Sequence, residues 1–188
     1  MEHRQTHFFY ALKLPAETKS QLNKYCQQLQ GELPFLRWVH GEDYHITLAF
    51  LGDAPVEKLE LSKQFIQEQL SDDAEFSLTI QSLGTFGRKD SPRIFWAGVE
   101  QEPRLDAVRA AVFSACTQAG FQLESRPFHP HITLARKWKG EAPFPLTAEQ
   151  LRLSFAEPIH FLAKEVVLYQ THLDKVPKYE AIATFRLS

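Results

Sequence analysis

The apolar positions of this chain alternate between two spacings. Residues 7–14 form a short apolar run stopped by Pro15, which reads as a strand. Helical spacing takes over in 15–31, where Leu22, Tyr25, Cys26 and Leu29 share one face and Gly31 is the stop. A second strand is expected over 44–51, ending at Gly52, and a second helix over 56–70, striped by Val56, Leu59, Ile66 and Leu70. Residues 75–83 and 93–99 read as strands joined by a Gly-, Pro- and charge-rich loop over 84–92. The second half repeats the plan. A helix over 105–119 turns Leu105, Val108, Val112, Ala115 and Ala119 inward and is closed by Gly120. Short strands follow over 121–124 and 131–135, then a polar connector over 137–145 and closing strands over 165–170 and 179–187.

Helices and strands mix here without regular βαβ alternation. An α+β fold with mostly antiparallel sheet is therefore expected. The repeated plan suggests two pseudo-symmetric lobes, each a sheet with outer helices, around a central cleft, within a single domain over 1–188. A hydrophobic content of 44% suffices for a full core, and the 15 Phe residues argue against disorder. The formal net charge of −2 fits poorly with coating long nucleic acid by charge alone, which needs many phosphate neutralisations. A local basic pocket for one phosphate is compatible with it. Cys26 and Cys116 have no metal-ligand or Cys-x-x-Cys spacing and are expected as buried free thiols of a reducing cytosol. No apolar stretch of about 18 residues occurs, so a cytoplasmic protein without a membrane partner is expected.

One repeat changes the picture. His45-Ile46-Thr47-Leu48-Ala49 recurs unchanged as His131-Ile132-Thr133-Leu134-Ala135, which suggests internal duplication. Residues two apart on a strand share a face. Each histidine and threonine therefore points one way while the Ile and Leu point into a core. If the halves are related by an approximate two-fold axis, both His/Thr pairs can line one cleft. Two imidazoles across a cleft suit phosphodiester hydrolysis without metal: a neutral ring takes a proton from water and a protonated one gives a proton to the leaving oxygen. Threonine hydroxyls can donate to the non-bridging phosphate oxygens. A single His-x-Thr is more often a surface or satisfied histidine, but two identical copies favour function. Neither pentapeptide contains Asp or Glu, and two histidines alone make a poor zinc site.

With its flanks, the chain resembles the two-histidine (2H) phosphoesterases, specifically the bacterial and archaeal RNA 2′,3′-cyclic phosphodiesterases formerly called 2′-5′ RNA ligases. The similarity spans essentially the whole chain. It is carried by Phe9-Tyr10-Ala11-Leu12-Lys13-Leu14-Pro15, by Tyr44 to Gly52, by Arg93-Ile94-Phe95-Trp96-Ala97-Gly98, and by Arg126 to Arg136. The resemblance implies hydrolysis of a 2′,3′-cyclic phosphate to a 2′-phosphate with no metal and no cofactor, on an RNA end or related nucleotide; a monomer is expected. It implies His45 as general acid, His131 as general base, and Thr47 and Thr133 as phosphate ligands. Run in reverse, the same site would join a cyclic phosphate to a 5′-hydroxyl.

The resemblance further suggests that Arg136 reaches the phosphate and that Phe50 or Tyr10 packs against the base. Phe50 and Arg136 each lie five residues after a histidine. That odd offset puts them on the opposite face of a regular strand, so the strand must end or bulge for them to join the cleft. Arg88, Lys89, Arg93, Arg126, Lys137 and Lys139 are candidates for a basic rim, although scattered loop charges are commonly just solvated. His129 is read as supporting or incidental, and His160 and His172 have no evident partner. Two alternatives stay open: a binding module that holds a nucleotide or RNA end without chemistry, and a 2H enzyme acting on another cyclic or 2′-5′ phosphodiester.

Overall fold

Among the residues that the computed structural model describes (6–152, 155 and 157–188), nine strands join one antiparallel sheet. In chain order the elements are β1 (His7–Lys13), α1 (Ala16–Gln30), β2 (Phe35–Trp38), a 3-10 turn (Gly41–Asp43), β3 (His45–Asp53), α2 (Val56–Gln69), β4 (Phe76–Gly87), β5 (Pro92–Val99), α3 (Pro103–Gln118), β6 (His131–Trp138), α4 (Ala148–Arg152), β7 (Ile159–Ala163), β8 (Glu165–Thr171) and β9 (Tyr179–Arg186). The strand order is β7-β4-β5-β6-β3-β1-β8-β9, with β2 added on β6. The two copies of the repeat are thus the two central strands, β3 and β6. Each heads one lobe, β3-β1-β8-β9 or β6-β5-β4-β7. No described helix is long and apolar enough to cross a membrane.

β3 and β6 meet through one antiparallel pair, Ile46 with Ile132. These are the same position of the repeat, so a local two-fold axis passes between them. Both side chains are fully buried. They belong to a core cluster drawn from both halves, which includes Leu12, Leu48, Phe95, Val112 and Leu134. α2 packs on α3 and against β9, α3 on β3, α1 against β7, and α4 on β4.

The helices form where apolar spacing and end signals agree. α3 starts at Pro103, with the Glu102 carboxylate accepting the Arg104 N–H at 3.1 Å. It buries Leu105, Val108, Val112, Ala115 and Cys116. Gly120 (φ +102) then takes the chain out of the helix in a conformation that favours glycine. Val56, expected on the buried stripe of α2, is instead 68% exposed, because it stands in the first turn at the end of the helix.

Three expectations are corrected, and three elements are added. Residues 121–124 form no strand; Phe121 is buried there without a strand partner. The loop over 84–92 shrinks to a tight hairpin, because β4 continues to Gly87 and β5 begins at Pro92. Gly84 of β4 pairs with Trp96, and the Trp96 indole lies across it where a Cβ would overlap the ring. The connector over 137–145 loses its first two residues to β6. Finally, β2, α4 and β7 carry too short a pattern to be read: β2 and β7 are short edge strands, defined by the neighbour they pair with.

Ile46→Ala and Ile132→Ala should each cost about 2–5 kcal/mol by urea unfolding, the range for truncating a fully buried Ile. Because the two face each other, the double variant should lose less than the sum of the singles.

Candidate active site

Extending the Ile46–Ile132 register by one residue each way sets His45 opposite Thr133 and Thr47 opposite His131, on the sheet face away from the isoleucines. All four side chains line one cleft of about 300 Å³. The axis that pairs the isoleucines in the core thus pairs the polar residues in the cleft.

Each imidazole is anchored by the same device. His45 Nδ1 lies 2.7 Å from the Asp43 carbonyl, and His131 Nδ1 lies 2.7 Å from the His129 carbonyl, two residues earlier in each case. A carbonyl can only accept, so each Nδ1 carries the hydrogen and each Nε2 is left for the cleft. His45 Nε2 stands 3.0 Å from Thr47 Oγ1. Aromatic rings flank both histidines. Around His45 these are Phe9, with ring centres 4.8 Å apart, Tyr179 at 5.2 Å and Tyr169 at 6.0 Å. Around His131 they are Phe86 at 5.0 Å and Trp96 at 6.2 Å. His129 packs edge-on to Phe86 and Trp96, so its ring joins this wall while its carbonyl orients His131.

The odd offset of Phe50 and Arg136 is resolved by a bulge in each copy. Along β1, Tyr10 pairs with Ala49 and Ala11 with Thr47, so Leu48 is the extra residue. Along β5, Phe95 pairs with Ala135 and Trp96 with Thr133, so Leu134 is the extra residue. The bulge falls at the same position of the repeat and shifts the alternation by one. Phe50 and Arg136 consequently rejoin the histidine face and line the cleft, Phe50 at its rim and 58% exposed.

Tyr10 does not. It is fully buried in the core, its hydroxyl 2.7 Å from Ser62 Oγ, and cannot meet a base in the cleft. Its neighbour Phe9 takes the cleft side with Ala11, Val167 and Tyr169. β1 is a central strand apolar on both faces, so its run carries no alternation that would distinguish the two aromatics.

Several cleft residues had no signal in the sequence. The Asp43 carboxylate, nearly buried, accepts the backbone N–H of Lys178 at 3.0 Å and of Tyr179 at 3.2 Å, tying the loop before β9 to the His45 strand. Lys178 and Tyr179 thereby line the cleft. Burial, and then the neighbouring Arg136, push the Lys178 ammonium below the usual lysine range. β2 sets Arg37 opposite Arg136. Like charges on facing strand positions repel, and an anion between them relieves that cost. Of the proposed basic rim, Arg88 is paired with Asp90 and Arg126 with Glu124. Away from the cleft, His160 bonds Thr79 at 2.9 Å and His172 bonds Glu180 at 3.3 Å. Among the described residues no three His, Cys, Asp or Glu side chains gather as a metal site would require. Both cysteines are free and buried.

Burial pushes the His45 imidazole down to about 4, against the pull of the Asp43 carbonyl and carboxylate; His131 and Arg136 add to the lowering. His131 is also lowered, by burial first, then by His129 and Arg136, against its bond to the His129 carbonyl. Among the described residues no carboxylate acts on His131 as Asp43 acts on His45.

In the unfolded chain a histidine titrates near pH 6.5. Between there and about 4 the unfolded state gains a proton that folded His45 refuses, so stability is complete above this window and falls as pH falls through it. The loss at this residue is at most about 3 kcal/mol. His45→Asn should therefore flatten the pH dependence of urea stability between pH 7 and 4.5.

Known proteins resemble this chain in sequence and fold. The family model of the 2′-5′ RNA ligase superfamily matches residues 18–175. The RNA 2′,3′-cyclic phosphodiesterase of Bacillus subtilis is 37% identical over 184 residues, 97% of either chain. The protein of that name from Geobacillus stearothermophilus is 47% identical over 98% of this chain, which spans 58% of that longer relative. The crystal structure of Escherichia coli LigT complexed with 3′-AMP superposes with a TM-score of 0.78 at 26% identity, covering 98% of this chain and 99% of the other. A match over this much of the sequence, with the same fold, places the chain in the 2′-5′ RNA ligase superfamily of two-histidine phosphoesterases.

Proposed function

We propose that this protein is an RNA 2′,3′-cyclic phosphodiesterase that opens the terminal cyclic phosphate to a 2′-phosphate. The observation that carries the reading is the pair of Nε2 atoms, both freed by backbone carbonyls at Nδ1, in one cleft with two threonines and Arg136. The B. subtilis and G. stearothermophilus relatives bear this activity in their names, and E. coli LigT binds 3′-AMP.

In the proposed mechanism His131, neutral at pH 7, takes a proton from water as that water attacks phosphorus. His45 gives its proton to the departing 3′ oxygen. Asp43 supports this division of labour. With the phosphate anion offsetting the cost of burying a cation, its carboxylate and carbonyl favour the protonated form of His45, whereas His131 faces only the cationic or neutral groups His129 and Arg136. Thr47 and Thr133 donate to the non-bridging oxygens. Arg136 and Lys178 offset the charge that builds there. Phe50, exposed at the rim, offers a face on which a terminal base stacks without sequence preference. Run in reverse, the site joins the cyclic phosphate to a 5′-hydroxyl as a 2′-5′ linkage. The chain acts as one two-lobed unit, a cytoplasmic monomer; its free buried cysteines suit a reducing compartment.

His45→Ala and His131→Ala should each cut turnover of a 2′,3′-cyclic-phosphate oligonucleotide by about 10²–10⁴-fold while the circular dichroism spectrum is kept. Wild-type activity should persist in chelator and give a 2′-phosphate. Strict metal dependence would defeat this mechanism, and phosphate binding without turnover would identify a binding module instead. The pH profile is a separate check. Both histidines titrate below their usual value in the empty cleft, so the singly protonated pair is depleted as pH rises above about 6.5. The kcat/KM should decline over pH 6.5–8, and a flat profile there would contradict the two-histidine proton transfer.

A further inference from the structure

Outside the catalytic cleft, Arg109 is a half-buried cation with no ion pair among the described residues. Arg109 projects from α3, its guanidinium carbon 4.2 Å from the centre of the Phe113 ring and 5.4 Å from that of Phe128. Its Nε is buried with no acceptor among the described residues. Ring faces hold a guanidinium plane well but offer its N–H groups no acceptor, and a buried Nε–H without an acceptor is costly until an anion supplies one.

Arg109 lines a groove of about 730 Å³ that shares Thr47, Phe50 and His131 with the catalytic cleft. Two further arginines line it. Arg126 is already matched by Glu124, also in the groove, at 3.0 Å. Arg93 is exposed and has no ion pair among the described residues. Two unopposed guanidinium groups beside aromatic rings, opening onto a phosphodiester site, fit a ligand with an anion and a flat apolar group joined to the reacting end.

The rest of an RNA strand has that chemistry. With the cyclic phosphate between His45 and His131, the chain leaves through the 5′ oxygen of the terminal nucleoside, and the next groups along it are a phosphodiester anion and a second base. Resting on the cyclic-phosphodiesterase reading, we propose that this groove is a subsite for the nucleotide immediately upstream of the cyclic-phosphate end. Arg109 and Arg93 hold its phosphodiester, and Phe86 and Phe128 face its sugar and base. The subsite makes the protein an enzyme of oligonucleotide ends in preference to cyclic mononucleotides.

The test compares 2′,3′-cyclic AMP with an adenosine trinucleotide ending in a 2′,3′-cyclic phosphate. For the wild type, kcat/KM should be about tenfold higher on the trinucleotide, with the steeper salt dependence expected of an added phosphate contact. Arg109→Gln and Arg93→Gln should each remove most of that advantage, through KM, while leaving cyclic AMP turnover within about twofold. Arg93 is exposed, so its variant decides the matter if Arg109→Gln fails to fold. A wild-type ratio near one, or variants that slow both substrates alike, would overturn the subsite; in the second case Arg109 is a packing element only. Anisotropy of a 5′-labelled trinucleotide ending in a 2′-phosphate supplies an independent readout. Loss of turnover on both substrates by the wild type sinks the cyclic-phosphodiesterase reading. In that event, undiminished trinucleotide binding by both variants overturns the groove as well, and binding weakened by them upholds it as a nucleotide site.

Discussion

The antiparallel contact of Ile46 with Ile132 is the constraint on which the rest of the molecule depends. It is the one register pair that joins the two lobes through their central strands, and it joins a repeat to itself. A residue that faces its own counterpart across an antiparallel pair must sit beside a two-fold axis. Once the isoleucines are driven into the common core, period-two alternation sends both histidines and both threonines to the other face. Hydrophobic burial on one side of the sheet therefore assembles the polar cluster on the other, and the core and the cleft are two faces of a single pairing.

Symmetry alone would make the histidines equivalent, and acid–base chemistry needs them different. The difference lies outside the repeat. Both rings hang by Nδ1 from a carbonyl two residues earlier, but that residue is Asp43 in one copy and His129 in the other. Asp43 brings a carboxylate that also holds the backbone of Lys178 and Tyr179. His129 brings a second imidazole among aromatic rings. Aromatic rings flank both imidazoles and burial lowers both titrations; at His45 the Asp43 acid opposes that lowering.

The bulges at Leu48 and Leu134 show how a small irregularity widens the site. In a regular strand Phe50 and Arg136 would be buried opposite the histidines. One extra residue in each copy returns them to the cleft, so each copy contributes a third side chain at its far end. Arg136 then lies by Arg37 and Lys178, concentrating positive charge at the cleft in a chain of net negative charge.

Much of this was legible in the residues alone. Strand periodicity separated His45, Thr47, His131 and Thr133 from Ile46, Leu48, Ile132 and Leu134, and the exact repeat implied a shared cleft, because face and duplication are local properties of the chain. Tertiary structure decided the remainder. Whether Phe9 or Tyr10 meets the cleft depends on which strands flank β1, since both faces of that strand are apolar. Whether Phe50 and Arg136 count depends on a bulge defined by register against β1 and β5. Asp43 and Lys178 meet only because segments far apart in sequence pack together, and β2 and β7 exist only because a neighbouring edge accepts them. Local pattern determines which way a side chain points; what it meets there is determined by pairing between distant segments.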